Sequence, residues 1–146
     1  MKLIIQIPCY NEENTLKQVI NDLPKVVNGF DQVEYLIIDD GSTDNTVNVA
    51  RDMGVDYIYQ LGTNRGLATA FMLGINFALE KGADVIVNTD GDNQYRGECI
   101  SNLVIPIVKS QADMVVGYRP IAQHTEFGVI KKVLQIFGSF ILRRIS

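Results

Sequence analysis

Two carboxylates separated by a single glycine follow an apolar run in Val85-Ile86-Val87-Asn88-Thr89-Asp90-Gly91-Asp92-Asn93-Gln94. The run reads as a buried strand, and Gly91 is expected to let the backbone turn tightly at its end. Asp90, Asp92 and Gln94 then converge on one point. Three oxygen donors at the mouth of a sheet suit a hard divalent cation, Mg²⁺ or Mn²⁺, whose remaining ligands are phosphate oxygens. The same turn also reads as an exposed acidic cap on the following helix, and the Asp-x-Asp spacing alone leaves both readings open. As a calcium loop the segment fails: its fifth position is Gln94, its sixth is Tyr95 where glycine is required, and its twelfth is Ser101.

The elements that must position these groups alternate along the chain. Lys2–Pro8 is an almost unbroken apolar strand, as expected where both faces of a sheet are covered. Asn11 is read as the N-cap of a helix running to about Leu23, before Pro24. Val33–Asp39 is the second strand, and Ser42 or Thr43 is expected to cap a helix through Met53 that Gly54 terminates. Val55–Gln60 is the third strand, and the loop through Asn64-Arg65-Gly66 leads to a helix over Leu67–Lys81. The fourth strand is Asp84–Thr89, followed by a helix over Glu98–Ser110 that Pro106 kinks or breaks. Asp113–Tyr118 is a fifth strand ending at Arg119, and Lys131–Ile145 has the spacing of an amphipathic helix.

Five strands alternating with helices predict an α/β architecture: a three-layer, doubly wound, mostly parallel sheet. Ligands of such sheets bind beyond the carboxyl ends of the strands. Those ends carry Tyr10-Asn11-Glu12, Asp39-Asp40-Gly41-Ser42, Asn64-Arg65-Gly66, Asp90-Gly91-Asp92 and Arg119, so the polar chemistry gathers on one rim. Pro8-Cys9-Tyr10-Asn11 stands where a dinucleotide-binding GxGxxG would be, and the chain has no GxxxxGK[ST] phosphate loop. An acidic rim needs a cation to hold a diphosphate. The carboxylates of Asp39 and Asp40 are pure acceptors suited to a base edge or ribose hydroxyls, and the Tyr10 ring is suited to stack on a base.

Composition narrows the alternatives. The 146 residues are 47% hydrophobic, enough for one domain with a core. Thirteen basic and 17 acidic residues give a net charge of -4, which argues against nucleic acid as a partner. Cys9 and Cys99 make no CxxC pair and read as reduced thiols of a cytosolic protein. With His124 as the one histidine, histidine-rich zinc sites are excluded. Met1–Ile7 is too short for a signal peptide, and no apolar run reaches the roughly 18 residues of a spanning helix. The expected location is the cytoplasm, with attachment to the cytoplasmic membrane face through the final segment.

The segments Ile7-Pro8-Cys9-Tyr10-Asn11-Glu12-Glu13, Ile38-Asp39-Asp40-Gly41-Ser42-Thr43-Asp44, Asn64-Arg65-Gly66 and Asp90-Gly91-Asp92-Asn93-Gln94 resemble family 2 glycosyltransferases, enzymes of the GT-A fold. Gln94 and Arg119 resemble the polyprenyl-phosphate branch, which includes the dolichyl-phosphate mannosyltransferases. The resemblance implies a nucleotide-sugar pocket formed by Pro8, Tyr10, Glu12, Ile38, Asp39, Asp40, Thr89, Asp90, Gly91, Asp92 and Arg119. It implies metal ligation by Asp92 and Gln94 at the Asp-x-Asp element, with Asp90 reaching the nucleotide sugar, and catalytic roles for Asp92 and for Arg119 against the diphosphate. The implied reaction is metal-dependent transfer, with inversion, from a UDP- or GDP-linked sugar to a polyprenyl phosphate. A saccharide hydroxyl as acceptor would require a carboxylate base, and none stands out in the sequence.

Relative to that family, residues 1–146 are expected to be the nucleotide-sugar-binding portion, without the acceptor-side region. A non-catalytic nucleotide- or metal-binding module is the competing expectation. A nucleotide-sugar pyrophosphorylase is disfavoured, because its glycine-rich loop with a basic residue after the first strand is missing. Val129–Ser146 carries Val133, Leu134, Ile136, Phe137, Phe140, Ile141 and Ile145 at near-helical spacing, flanked by Lys131, Lys132, Arg143 and Arg144. It reads either as an interfacial helix drawn to anionic lipid or as a core or dimer helix.

Overall fold

The computed structural model describes residues 1–93 and 97–117. β1 (Lys2–Cys9) lies at the centre of a four-stranded parallel sheet of order β3-β2-β1-β4, with β2 (Gln32–Asp39), β3 (Tyr57–Gln60) and β4 (Val85–Asn88). The strands are joined through α1 (Leu16–Asp22), α2 (Thr46–Asp52) and α3 (Leu67–Glu80), and α4 (Ile100–Val108) follows a 3₁₀ turn at Gly97–Cys99. β1 pairs with β2 from Lys2↔Gln32 to Cys9↔Asp39, and with β4 from Leu3↔Val85 to Gln6↔Asn88. Parallel strands place successive carboxyl ends on one edge, and the register brings the ends of β1 and β2 level at Cys9 and Asp39.

Side chains alternate across the pleat, and the two faces have separate cores. Leu3, Ile5, Ile7, Ile37, Val85 and Val87 pack with Leu16, Val19 and Ile20 of α1, Ala50 of α2, and Ile100 and Val104 of α4. Ile4, Leu36 and Ile38 face Ala70 and Ala78 of α3. The described sheet is therefore covered on both faces, in three layers, with α3 on one side. α3 approaches closely because its inner face is small: a Cβ on Gly74 would come within 2.2 Å of Gln6 Oε1 and 2.9 Å of Ile38 Cγ1. Gln6 is buried between them, and its Nε2 donates to Asn88 Oδ1 at 3.1 Å, tying β1 to β4.

The structure corrects three local expectations. Asn11 does not cap α1, which begins at Leu16, and neither Ser42 nor Thr43 caps α2, which begins at Thr46. These polar side chains bond to the neighbouring loop instead, as described below. Residues 113–117 form no strand, and Tyr118 lies outside the described residues. A strand requires a neighbour to take its amides and carbonyls, and the ladder among the described residues ends at β4. Among the described residues no helix is long and apolar enough to cross a membrane. The expected amphipathic helix at the chain's end, and its roles in lipid attachment or oligomerisation, fall outside the described residues.

Candidate active site

The strand ends and the loops after them enclose a cleft of about 340 Å³. Pro8, Cys9, Tyr10 and Glu12 line it from β1 and its loop, Asp40 from the end of β2, and Asp90, Gly91 and Asp92 from the turn after β4. Asn64, Gly66, Leu67 and Ala70 complete the wall at the start of α3.

The turn after β4 differs from its expected construction. Gly91 is not among the glycines with positive φ; Asn93, at φ 59°, takes the left-handed position. Asparagine tolerates that region better than most residues. Gly91 is needed for another reason: a Cβ there would lie 3.0 Å from Cys9 Sγ and 3.2 Å from Glu12 Cγ. The glycine thus lets the acidic turn lie directly against the end of β1.

Three loops are bonded to one another around the cleft. The Asn11 amide donates to Ser42 Oγ at 3.0 Å, and Asn11 Oδ1 accepts the Thr43 amide at 2.8 Å. The Glu12 amide donates to Thr46 Oγ1 at 2.8 Å, and the Glu13 amide to Asp44 Oδ2 at 3.1 Å. Glu13 Oε2 accepts the Asn45 amide at 2.9 Å. Asn11 itself has φ 58°, held there by these bonds. Asp40 secures the third loop: its carboxylate accepts the Arg65 amide at 2.7 Å and the Gly66 amide at 2.9 Å.

The proposed site residues therefore separate into groups. Pro8, Tyr10, Glu12, Asp40, Asp90, Gly91 and Asp92 come together on the cleft. Ile38 is fully buried on the α3 face of β2, and Thr89 is buried with its amide on the Gln6 carbonyl at 3.1 Å; neither lines the cleft. Asp39 is buried below the rim, where its Oδ1 accepts the Ser42 amide at 3.1 Å. Gln94 and Arg119 lie outside the described residues. Sequence reasoning missed Cys9, Leu67 and Ala70. The i, i+3 spacing of Leu67 and Ala70 just after Gly66 was the available signal.

The electrostatics of the floor disfavour one chemistry. Burial pushes the Cys9 thiol well above its ordinary range, and the carboxylates of Glu12, Asp39 and Asp44 push it further. The protonated thiol is the favoured form of Cys9, which makes it a poor nucleophile. Asp44 shifts the opposite way. Its burial favours the neutral acid, but hydrogen bonds from the Thr46 hydroxyl and amide and the Glu13 amide outweigh that and lower its pKa. A lowered folded-state pKa adds stability that is present above the unfolded value, about 3.9, and is lost as pH falls through the folded one. Asp44→Asn should therefore lower Tm at pH 7, and the gap to the wild type should narrow below about pH 4; thermal melts across pH check both.

The donor set in the cleft is one of hard oxygens. Among the described residues no group of three or more His, Cys, Asp or Glu is placed to hold a metal ion alone. Asp90 and Asp92 fit a cation such as Mg²⁺, which protein sites hold through one or two carboxylates while phosphates fill other positions.

A profile of glycosyl transferase family 2 matches residues 4–144. The chain belongs to glycosyl transferase family 2. One family 2 relative, the UDP-N-acetylglucosamine–dolichyl-phosphate N-acetylglucosaminyltransferase of Methanococcus voltae, is 31% identical over 92% of this chain and 59% of that protein. The polyprenol monophosphomannose synthase of Mycolicibacterium smegmatis is 28% identical over 81% of this chain and 45% of its own length. The chain spans about half the length of the curated relatives it matches. Among solved structures, glucosyl-3-phosphoglycerate synthase from Mycobacterium tuberculosis in complex with Mn²⁺, UDP and glucosyl-3-phosphoglycerate superposes with a TM-score of 0.59 at 23% identity. That match covers 73% of this chain and 39% of the other, and the likeness is one of fold, the GT-A architecture of family 2.

Proposed function

We propose that residues 1–146 are the nucleotide-sugar-binding portion of a metal-dependent, inverting glycosyltransferase that moves a sugar from a UDP- or GDP-linked donor to a polyprenyl phosphate. The observation that carries this reading is the shared cleft, in which the Asp90 and Asp92 turn faces residues of the β1 and β2 loops beyond the carboxyl ends of parallel strands. The relatives named for dolichyl-phosphate and polyprenol substrates support the acceptor class. Asp90, Asp92 and Gln94 would hold Mg²⁺ or Mn²⁺, and such an ion neutralises charge developing on the departing nucleoside diphosphate. Tyr10, 46% exposed at the rim, offers its ring to the base, and Arg119 is assigned to the diphosphate.

The remaining cleft carboxylates favour an acceptor that is already ionised. Asp40 accepts two amides, and Glu12 accepts the Thr15 hydroxyl at 2.6 Å. Both are engaged in holding loops, which suits a phosphate acceptor that needs no general base better than a hydroxyl that does. The acceptor would be presented at the cytoplasmic membrane face, to which the protein binds peripherally.

Calorimetric titration with UDP and GDP, each with and without Mn²⁺, tests the reading. Binding of one nucleotide in the presence of Mn²⁺ and its loss on chelation are expected. Metal-independent binding, or none, would refute the metal bridge. Transfer of labelled sugar to a polyprenyl phosphate tests the acceptor.

A further inference from the structure

We infer that Thr46, which does not line the cleft, is the positioning residue for Glu12, which does. The inference rests on the nucleotide-binding reading above and adds to it a residue on a neighbouring loop.

Thr46 is fully buried at the first position of α2. Its hydroxyl proton is committed to Asp44 Oδ1, which also accepts the Thr46 amide at 3.0 Å. A hydroxyl has one proton and two lone pairs, so that commitment turns a lone pair toward the Glu12 amide, 2.8 Å away. Glu12 is held at its other polar atoms too. Its carbonyl accepts the Thr15 and Leu16 amides at 3.2 and 2.9 Å, and its carboxylate accepts the Thr15 hydroxyl.

The position matters because Glu12 packs against the acidic turn. Its Cγ lies 3.2 Å from where a Cβ on Gly91 would sit. A displacement of Glu12 is therefore passed to the wall that carries Asp90 and Asp92. Without the hydroxyl of Thr46, the Glu12 amide loses its partner and must shift to find another. Valine has the shape of threonine without the oxygen, whereas serine keeps the oxygen.

The test is calorimetry in Mn²⁺ with whichever of UDP and GDP the wild type binds more tightly, on Thr46→Val, Thr46→Ser, Glu12→Ala and the Glu12→Ala/Thr46→Val double variant. Thr46→Val should weaken binding about tenfold, the equivalent of one buried hydrogen bond, and Thr46→Ser should stay within about twofold. The double variant should bind no more weakly than Glu12→Ala alone, because alanine at position 12 has no Cγ to press on the acidic turn, and a residue that acts through another is not additive with it. Asp44→Ala frees the Thr46 hydroxyl and also removes the acceptor of the Glu13 amide; combined with Glu12→Ala it should add no further loss, and it serves if Thr46→Val does not fold. Thr46→Val with a lowered Tm but wild-type affinity, Thr46→Ser as weak as Thr46→Val, or additive losses would each overturn the positioning role alone. A wild type that binds no nucleotide would overturn the functional reading, and the positioning role with it.

Discussion

Asp92→Ala is expected to weaken Mn²⁺-dependent nucleotide binding by more than about 100-fold, since even partners behind a metal's direct ligands are worth about 10- to 100-fold. The loss should be specific to the metal-dependent part of the titration. Two carboxylates are all that the described cleft offers on the β4 side, so removing one leaves a single anionic oxygen donor for the cation. The fold should survive, because Asp92 is a half-buried turn residue that belongs to neither hydrophobic core. Circular dichroism and a thermal melt would establish that, and calorimetry would measure the affinity. Unchanged affinity in Mn²⁺ would remove Asp92 from its proposed role.

Gly41→Ala should lower stability by about 2–4 kcal/mol, with a fall in Tm on the order of 10 °C. Two costs combine. Gly41 has φ 77°, where a Cβ costs roughly 1–2 kcal/mol. That Cβ would also lie 2.5 Å from the Thr63 carbonyl carbon and 2.6 Å from the Asn64 nitrogen. These are backbone atoms and cannot rotate aside, so the loop bearing Asn64 and Gly66 must move. Gly54 is the control, at φ 68° with nothing within 4 Å of its added Cβ. Gly54→Ala should show only the conformational cost. Equal melting shifts for the two variants would disprove the contact contribution, and denaturant titration measures both.

The strands were legible because burial on both faces leaves a plain signature. Lys2–Cys9 and Gln32–Asp39 differ from the expected strands by a residue at one end. β3 and β4 are shorter than expected, beginning at Tyr57 and Val85 after turns that their preceding glycines only approximately mark. The rim was legible for a related reason: polar residues that interrupt apolar runs had to fall at strand ends. The partners of those polar residues were not legible. Asn11, Ser42 and Thr43 have the composition of helix caps, and local spacing cannot reveal that their partners are about 30 residues away on an adjacent loop. Gly91 shows the same limit. Its presence in the turn was evident, but its reason, contact with Cys9 and Glu12, exists only once β4 lies beside β1. The fifth strand was over-read at residues 113–117, because an apolar run supplies a strand's composition but not its neighbour, and none pairs with them among the described residues.

The pairing of β4 with β1 has a kinetic consequence. Gln6 and Asn88 are bonded across 82 residues, whereas β1 and β2 are joined by a single helical crossover. Closing the longer loop costs more chain entropy before any contact compensates. The β1–β2 unit can thus assemble with α1 and bring Tyr10 and Glu12 close to Asp40 before β4 has docked. Asp90 and Asp92 join them only when the last ladder closes. In a refolding experiment, recovery of nucleotide binding should therefore lag behind formation of the β1–β2 pair.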